Sequence, residues 1–272
     1  MSGKVLVGAR SRPWTALGLG LLTCIGAPIA SAADCPGHPD ALGTSRTLVV
    51  DPKAHPRIGT MQYRETLPLR DHEVVLTFDD GPWPPTTPKV LAALARECVH
   101  ATFFLIGKPA SEHPELARRI AAAGHTIGYH TWTHFSLMRM PPADAVEQID
   151  DGISAVEMAL HGVATTTPST PFFRFPGFET TQATLDLLQS RGIVVFGTDL
   201  WAGDWNKMTP KYELRLLVDR LKVARKGIIL LHDPQAKTAA MLPAFLRYLR
   251  DNHYHIVHVV PGTSATDLSG AP

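Results

Sequence analysis

The 272-residue sequence lacks an excess of charge of either sign, because 26 Lys and Arg residues stand against 25 Asp and Glu residues. Such a balance gives no strong electrostatic field, so nucleic acid is not expected as a partner. Heptad runs and short internal repeats are also missing. The composition, 44% hydrophobic and 19% charged, is typical of a globular protein and excludes a disordered or collagen-like chain.

A long hydrophobic run is missing as well. The apolar stretch at about 16–29 is shorter than the roughly 20 residues of a membrane span, so a membrane anchor is not expected. Basic residues precede this stretch, and small residues follow it at Ala30–Ala33. The pattern predicts a secretory signal peptide over residues 1–33, cleaved near Ala32 or Ala33. The protein is therefore expected to be periplasmic or extracellular.

Cysteine is scarce, with three residues in the chain. Cys24 lies in the predicted signal peptide, where Leu21–Cys24 resembles a lipoprotein box only weakly because Thr23 fits it poorly. Cys35 and Cys98 remain after cleavage. An even pair in an exported chain predicts a disulfide that ties the N-terminal segment to the domain, with two buried free thiols as the alternative.

The segment over residues 34–72 is rich in proline, glycine and polar residues, with one apolar run at Leu48–Val50. It is too small to bury a core of its own, so we expect an N-terminal extension packed on the main domain. That domain is predicted to cover residues 73–260, followed by a tail over 261–272.

Short apolar runs alternate with amphipathic segments from residue 73 onward. The predicted strands are Glu73–Phe78, Ala101–Ile106, His125–His130, Pro171–Phe175, Ile193–Thr198, Gly227–His232 and His255–Val259. The predicted helices begin at Thr87 and then cover about Ser111–Gly124, Pro142–Leu160, Thr181–Ser190, Thr209–Lys226 and Thr238–Asn252. This order predicts an α/β fold with about seven parallel strands, either a barrel-like ring or an open doubly wound sheet.

Polar residues gather at the carboxyl ends of these strands, where parallel α/β folds carry their functional groups. They are Asp79, Asp80, His130, His134, Arg174, Asp199, Asp204, His232 and Asp233. We expect one rim of the sheet to collect all of them. The adjacent Asp79 and Asp80 either form a turn or divide between a base and a metal ligand.

His130 and His134 lie four residues apart and, with Asp80, offer two imidazoles and one carboxylate. An open set of three ligands is the arrangement of catalytic zinc sites. A thermolysin-type protease is disfavoured, because Thr131 stands where that motif requires glutamate.

Two further side chains have alternative interpretations. Arg174 in a buried strand is expected to pair with a carboxylate, either in a structural ion pair or with Asp79 to keep that base ionised. His232 follows an apolar run and is either a core histidine or a general acid.

These segments, in this order, closely resemble the motifs of the polysaccharide deacetylase family, also called the NodB-homology domain or carbohydrate esterase family 4. The matching segments are Thr77–Pro82, His130–His134, Arg174–Gly177, Asp199–Trp205 and Leu231–Asp233. The resemblance covers about residues 73–260 and implies a distorted (β/α) barrel. It also implies a metal-dependent hydrolase that removes N-acetyl groups from N-acetylglucosamine-containing polysaccharide, such as peptidoglycan or a chitin-like polymer, and releases acetate.

The resemblance implies a role for each matched residue. Asp79 would be the catalytic base, oriented by Arg174, and His232 would be the acid, tuned by Asp204. The ligands of one divalent ion would be Asp80, His130 and His134. That ion would be Zn²⁺, although Co²⁺ or Ni²⁺ could occupy the same ligands. The residues that contact the substrate would be Gly177, Trp205 and Leu231.

The sequence departs from the family pattern at two places. Gly177 stands where the third motif usually has an aromatic residue, and four residues separate Asp199 from Asp204 where the family usually has two. The second departure leaves the role of Asp199 open. An O-acetyl esterase acting on acetylated xylan, or a non-catalytic carbohydrate-binding relative, are the alternative functions, and the oligomeric state is left open.

Overall fold

The computed structural model describes residues 1, 3, 35 and 37–262. Apart from residues 1 and 3, the predicted signal peptide lies outside this part of the chain, as do all but the first residues of the predicted tail. In the residues that are described, no helix combines the length and the apolar character needed to cross a membrane.

The secondary structure alternates strands with helices. The strands are β1 (Thr44–Val50), β2 (Arg57–Ile58), β3 (Glu73–Asp79), β4 (Thr102–Leu105), β5 (Thr126–Tyr129), β6 (Phe172–Phe173), β7 (Val194–Phe196), β8 (Leu200–Trp201), β9 (Gly227–His232) and β10 (His255–Pro261). The helices are α1 (Thr87–Arg96), α2 (Gly107–Glu112), α3 (Pro114–Ala122), α4 (Pro142–His161), α5 (Gln182–Ser190), α6 (Pro210–Ala224) and α7 (Ala236–Asp251). Short 3₁₀ turns lie at Leu137–Arg139 and Pro176–Phe178.

The strands form one sheet in which every pair is parallel. One series runs from β8 through β9, β3, β4, β5 and β6 to β7. Only residues 197–199 separate the end of β7 from the start of β8, so the two ends of the series lie close together. Within residues 37–262 no ladder joins them, and the ring is therefore interrupted there. The predicted parallel α/β fold is confirmed.

The central strand β3 shows why these residues form a sheet covered on both faces. All seven of its residues are buried. Leu76 and Phe78 pack into the cluster that the helices cover, whereas Val75 packs with Phe104 and Phe196 in a second cluster. Successive side chains of a strand point to opposite faces, so Asp79 lies on the same face as Val75. Each fully buried side chain of this size stabilises the fold by about 1.5–3 kcal/mol.

Three strands, β1, β2 and β8, were not predicted from the sequence. β1 extends well beyond the apolar run at Leu48–Val50 and pairs with β10, while β2 pairs with β7. The N-terminal extension therefore contributes two strands to the sheet. β1 begins with four polar residues and has one buried residue, Val50, and β2 and β8 have two residues each, which is too short for a periodic pattern.

The helix predicted over Ser111–Gly124 is wrong at its start. Two helices occupy this region, and Ser111 lies near the end of α2. Pro114 takes the first position of α3, which suits a residue without a backbone N–H and marks the beginning of a new helix.

A disulfide joins Cys35 to Cys98, with the Cα atoms 5.7 Å apart. Cys98 lies two residues after the last residue of α1, so the bond ties the N-terminal segment to the end of that helix. The extension is also held by an ion pair between Arg46 and Glu73 at 2.7 Å.

Candidate active site

A cavity of about 370 Å³ opens at the carboxyl ends of the strands. Its polar lining comprises Asp79, Asp80, His130, His134, His232 and Gln235. Its apolar lining comprises Phe175, Gly177, Phe178, Trp201, Trp205 and Leu230. The cavity thus collects most of the polar residues that the sequence places at this rim.

Three side chains in the cavity could hold a metal ion. Oδ1 of Asp80 lies 3.4 Å from Nε2 of His130 and 3.2 Å from Nε2 of His134. One ligand atom from each residue lies within 4.8 Å of the others. Oδ1 of Asp80 is buried and has no hydrogen-bond partner among the described residues. An unpartnered carboxylate oxygen beside two imidazole nitrogens fits a divalent cation with open coordination positions, as in catalytic zinc sites.

The tautomer of His130 is fixed by the backbone. Its Nδ1 lies 2.6 Å from the carbonyl oxygen of Arg174, and a carbonyl can only accept, so Nδ1 donates. Nε2 therefore carries the lone pair, on the side of Asp80. A hydrogen bond of this kind orients the imidazole as a metal ligand.

The protonation states of Asp80 and His134 also suit a cation. Burial opposes ionisation of Asp80, but the neighbouring imidazoles of His130, His232 and His134 outweigh it and hold the pKa of this carboxyl well below its ordinary value. Burial lowers the pKa of His134. A deprotonated carboxylate and a neutral imidazole are the forms that bind metals.

Arg174 forms an ion pair with Asp79, which is one of the two alternatives left open by the sequence. Nη1 of Arg174 donates to Oδ1 of Asp79 at 2.7 Å and to Oγ1 of Thr77 at 2.8 Å. Its Nη2 donates to the carbonyl of Gly197 at 2.8 Å, and Nε donates to that of Phe196 at 3.3 Å. Arg174 is fully buried, so the ion pair and the two carbonyls compensate the loss of its hydration.

His232 is held by Asp204 on another side of the cavity. The main-chain N–H of His232 donates to Oδ2 of Asp204 at 2.7 Å, and Nδ1 lies 2.8 Å from Oδ1. Burial lowers the pKa of His232, but the hydrogen bond and charge of Asp204 outweigh it and raise the pKa to about 9. The other ring nitrogen, Nε2, lies 4.0 Å from Oδ2 of Asp80 and so faces the candidate metal ligands.

The prediction that Leu231 lines the pocket is wrong. Leu230 lines the cavity, whereas Leu231 packs in the core beneath the helices. In a strand, residues two apart share a face, so Leu230 lies on the same face of β9 as His232. Trp205, predicted to contact the substrate, does line the cavity, is 48% exposed and packs edge-on against Trp201.

Gly177 lines the cavity as expected and adopts a φ of 58°, a left-handed conformation that glycine tolerates best. The aromatic side chain that this position lacks comes from the next residue. Phe178 lines the same cavity, and its ring lies 6.0 Å from Cζ of Arg174. Phe178 is not among the residues predicted from the sequence, although its place directly after the unusual glycine is a signal for it.

Asp199 has a structural role and is not among the residues that line the cavity. Its Oδ1 accepts from the N–H and the hydroxyl of Thr60, both at 2.8 Å. Its Oδ2 accepts from the hydroxyl of Thr66 at 2.7 Å and from the N–H of Ile228 at 2.8 Å. Asp199 thus joins the N-terminal extension to the start of β9. The two residues of β8 lie between Asp199 and Asp204, which accounts for their longer spacing.

Asp233, which the sequence left without a role, supports the loop that follows Asp80. The hydroxyl of Thr87 donates to Asp233 and accepts from the N–H of Trp83 at 2.7 Å. A Cβ at Gly81 would meet the carboxylate of Asp233 at 2.4 Å, so glycine is required there. Burial raises the pKa of Asp233 to about 7.

Comparison with known proteins places the chain in a class. Residues 67–196 match the sequence profile of the polysaccharide deacetylase family. A chitooligosaccharide deacetylase of Bradyrhizobium sp. (strain ANU 289) is 35% identical over 161 residues, which are 59% of this chain and 70% of that protein. The chain belongs to the polysaccharide deacetylase family.

Two further relatives are named as peptidoglycan deacetylases. Peptidoglycan-N-acetylmuramic acid deacetylase PdaC of Bacillus subtilis is 28% identical over 217 residues, 79% of this chain and 44% of that protein. The structure of the peptidoglycan deacetylase Bd3279 of Bdellovibrio bacteriovorus superposes with a TM-score of 0.70 at 29% identity, covering 81% of this chain and 60% of that one. The chain therefore spans less than half the length of the Bacillus protein.

Proposed function

We propose that this protein is a metal-dependent hydrolase that removes N-acetyl groups from N-acetylglucosamine-containing polysaccharide and releases acetate. One observation carries the proposal. A carboxylate held by arginine and an imidazole held by a carboxylate line the same cavity as three candidate metal ligands. A base, an acid and a cation site around one cavity are the groups that metal-assisted amide hydrolysis uses.

Asp80, His130 and His134 would hold the ion. When bound, a divalent cation supplies Lewis-acid polarisation of the acetyl carbonyl and increases the acidity of water. Zn²⁺ fits two imidazoles and one carboxylate, and Co²⁺ or Ni²⁺ can use the same donors.

Asp79 acts as the base. Its Oδ1 is occupied by Arg174, which leaves Oδ2, 3.8 Å from Nε2 of His130, to accept the proton of the attacking water. The pairing with Arg174 fixes the direction of the carboxylate. Oxygen from that water then forms a bond to the acetyl carbon, and the C–N bond breaks.

His232 acts as the acid. An amine is a poor leaving group, so its nitrogen must be protonated as the bond to carbon breaks. Nδ1 of His232 is engaged with Asp204, and Nε2 delivers the proton. The N–H of Gly177 is proposed to stabilise the negative charge that develops on the carbonyl oxygen. The faces of Trp205 and Trp201 offer apolar surfaces to a sugar ring.

The substrate is proposed to be peptidoglycan or a chitin-like polymer outside the cytoplasm. The names of the Bradyrhizobium, Bacillus and Bdellovibrio relatives support this substrate class. The signal-peptide pattern over residues 1–33 and the disulfide between Cys35 and Cys98 support export to the periplasm or beyond.

The test is acetate release by the purified protein from N-acetylglucosamine oligomers, peptidoglycan and acetylated xylan. We expect release from the first two, loss of release after chelation, and recovery when Zn²⁺ is added. Asp219→Asn, which alters an exposed carboxylate of α6, serves as a control with unchanged activity. Release from acetylxylan alone would indicate the esterase instead, and binding without release from any polymer would indicate a non-catalytic relative.

A further inference from the structure

Two fully buried polar side chains lie behind the Asp204–His232 pair and have no part in the proposed mechanism. Glu213 belongs to α6, and Thr238 lies in the first turn of α7. Oγ1 of Thr238 lies 2.8 Å from Oδ2 of Asp204 and 2.9 Å from Oε1 of Glu213. A single hydroxyl therefore lies between two carboxyl groups.

The number of protons determines which hydrogen bonds exist in this arrangement. A threonine hydroxyl has one hydrogen to donate, and an ionised carboxylate can only accept. If both carboxyl groups were ionised, one of the two contacts of Thr238 would bring oxygen lone pairs together in a buried site, which is costly. One of the two carboxyl groups must therefore carry a proton.

Asp204 is the ionised member of the two. It accepts hydrogen bonds from the main-chain N–H and from Nδ1 of His232, at 2.7 and 2.8 Å. Two donors of this kind stabilise the carboxylate form.

Glu213 has none of these partners. Its Oε2 is buried and accepts no hydrogen bond within the described part of the chain. Burial raises the pKa of Glu213 to about 7, and the nearby charge of Asp204 acts in the same direction. The hydrogen bond with Thr238 and the charges of Lys237 and His232 oppose this shift and do not reverse it.

We propose that Glu213 is a neutral carboxylic acid that donates its proton to Thr238, and that Thr238 donates its own to Asp204. Glu213 and Thr238 are then positioning residues for His232, and this inference rests on the proposed function. The third donor fixes the orientation of the Asp204 carboxylate, and with it the imidazole that delivers the proton. The chain of hydrogen bonds also connects α6 and α7 to the cavity, because each helix supplies one member.

Kinetics of acetate release test the positioning role. Thr238→Val removes the hydroxyl at nearly constant volume, and we expect kcat to fall about tenfold while KM stays within about twofold, since one hydrogen bond to a charged group is lost. Thr238→Ser restores the hydroxyl and is expected to recover kcat to within about twofold of the wild type. Glu213→Gln replaces one neutral donor by another and should also stay within about twofold. Wild-type kcat in T238V, or equal losses in T238S and T238V, would overturn the proposal.

Infrared spectroscopy tests the protonation without any substrate. At about pH 6 the wild type should show the carbonyl stretch of a protonated carboxyl group that is missing from E213Q. The matched control E147Q, in which an exposed glutamate of α4 is changed, should retain it. Identical spectra for the wild type and E213Q would show that Glu213 is ionised and would overturn the proposal. If the wild type released no acetate, the proposed function would fail, and the infrared comparison would still decide the protonation of Glu213.

Discussion

The main chain of Arg174 binds the side chain of His130. The carbonyl oxygen of Arg174 accepts the Nδ1 proton of His130 at 2.6 Å, while the guanidinium of the same residue holds Asp79 at 2.7 Å. One buried residue thus orients a candidate metal ligand and the candidate base together. Because both contacts come from one residue directly after β6, the distance between the imidazole of His130 and the carboxylate of Asp79 is fixed. A preorganised site requires such a fixed distance.

Arg174→Lys tests this relationship. Lysine keeps the charge but cannot reproduce the three donor positions that reach Asp79, Gly197 and Phe196. We expect kcat to fall by about 10²-fold with little change in metal affinity, because the carbonyl that orients His130 belongs to the main chain. Steady-state kinetics and a zinc titration measure both. The control Arg118→Lys, at an exposed position of α3, should behave as the wild type, and wild-type kcat in R174K would refute the role of the guanidinium.

The pair Leu230 and Leu231 tests the assignment of the cavity wall. Leu230→Ala should change KM or kcat for acetylated substrates with a modest loss of stability, because its side chain faces the cavity. Leu231→Ala should leave kinetics nearly unchanged and lower the free energy of unfolding by about 2–5 kcal/mol, because its side chain is fully buried in the core. Denaturant unfolding and acetate release distinguish the two. The reverse pattern would show that Leu231 forms the wall.

Acidification is expected to destabilise the fold through two buried histidines. Burial, with the charges of neighbouring histidines, lowers the pKa of His125 to about 3 and that of His258 to about 4. In the unfolded chain both ionise near 6.5, so below that pH the unfolded state binds more protons than the folded state. The free energy of unfolding therefore falls as the pH drops below 6.5, by up to about 1.4 kcal/mol per pH unit for each histidine.

His125→Asn tests this dependence. Asparagine can supply the acceptor that the N–H of Ala101 finds at Nδ1 of His125, and it does not titrate in this range. Between pH 7 and about pH 5, the free energy of unfolding should depend less steeply on pH in this variant than in the wild type. His253→Asn, at an exposed position, is the control. An unchanged slope in H125N would exclude His125 as the cause.

The disulfide is expected to contribute stability and not chemistry. Its two cysteines are 63 residues apart in sequence, so replacing both by serine should lower the free energy of unfolding by about 4 kcal/mol on the loop-entropy argument. Neither cysteine lines the catalytic cavity, and kcat of the folded double variant should match the wild type. Thermal unfolding with and without reductant measures the effect. A large loss of kcat below the melting temperature would show that the extension takes part in catalysis.

Much of the fold could be predicted because its strands are buried on both faces. Runs such as Glu73–Phe78 and Gly227–His232 are nearly continuous apolar segments, and the rule that functional groups lie at carboxyl strand ends then brings Asp80, His130 and His134 together. The paired strand ends at residues 79 and 232 carry the proposed base and the proposed acid side by side.

The remaining features depend on register and on contacts between distant segments. Whether Leu230 or Leu231 lines the cavity depends on which face of β9 points inward. A shift of one residue in the register of the strand exchanges the two. Asp199 finds its partners more than 130 residues away in Thr60 and Thr66. The hydrogen bonds through Glu213 and Thr238 form because α6 and α7 pack together. No local sequence pattern indicates that packing.

Zinc titration of chelator-stripped protein tests the central claim most directly, namely that Asp80, His130 and His134 hold the ion while Asp79 moves the proton. The wild type should bind one ion per chain and regain acetate release. Asp79→Asn should bind zinc with similar affinity and lose about 10³-fold in kcat. His134→Ala should lose at least about 100-fold in affinity together with activity. Wild-type zinc affinity in H134A, or near-wild-type turnover in D79N, would contradict the account.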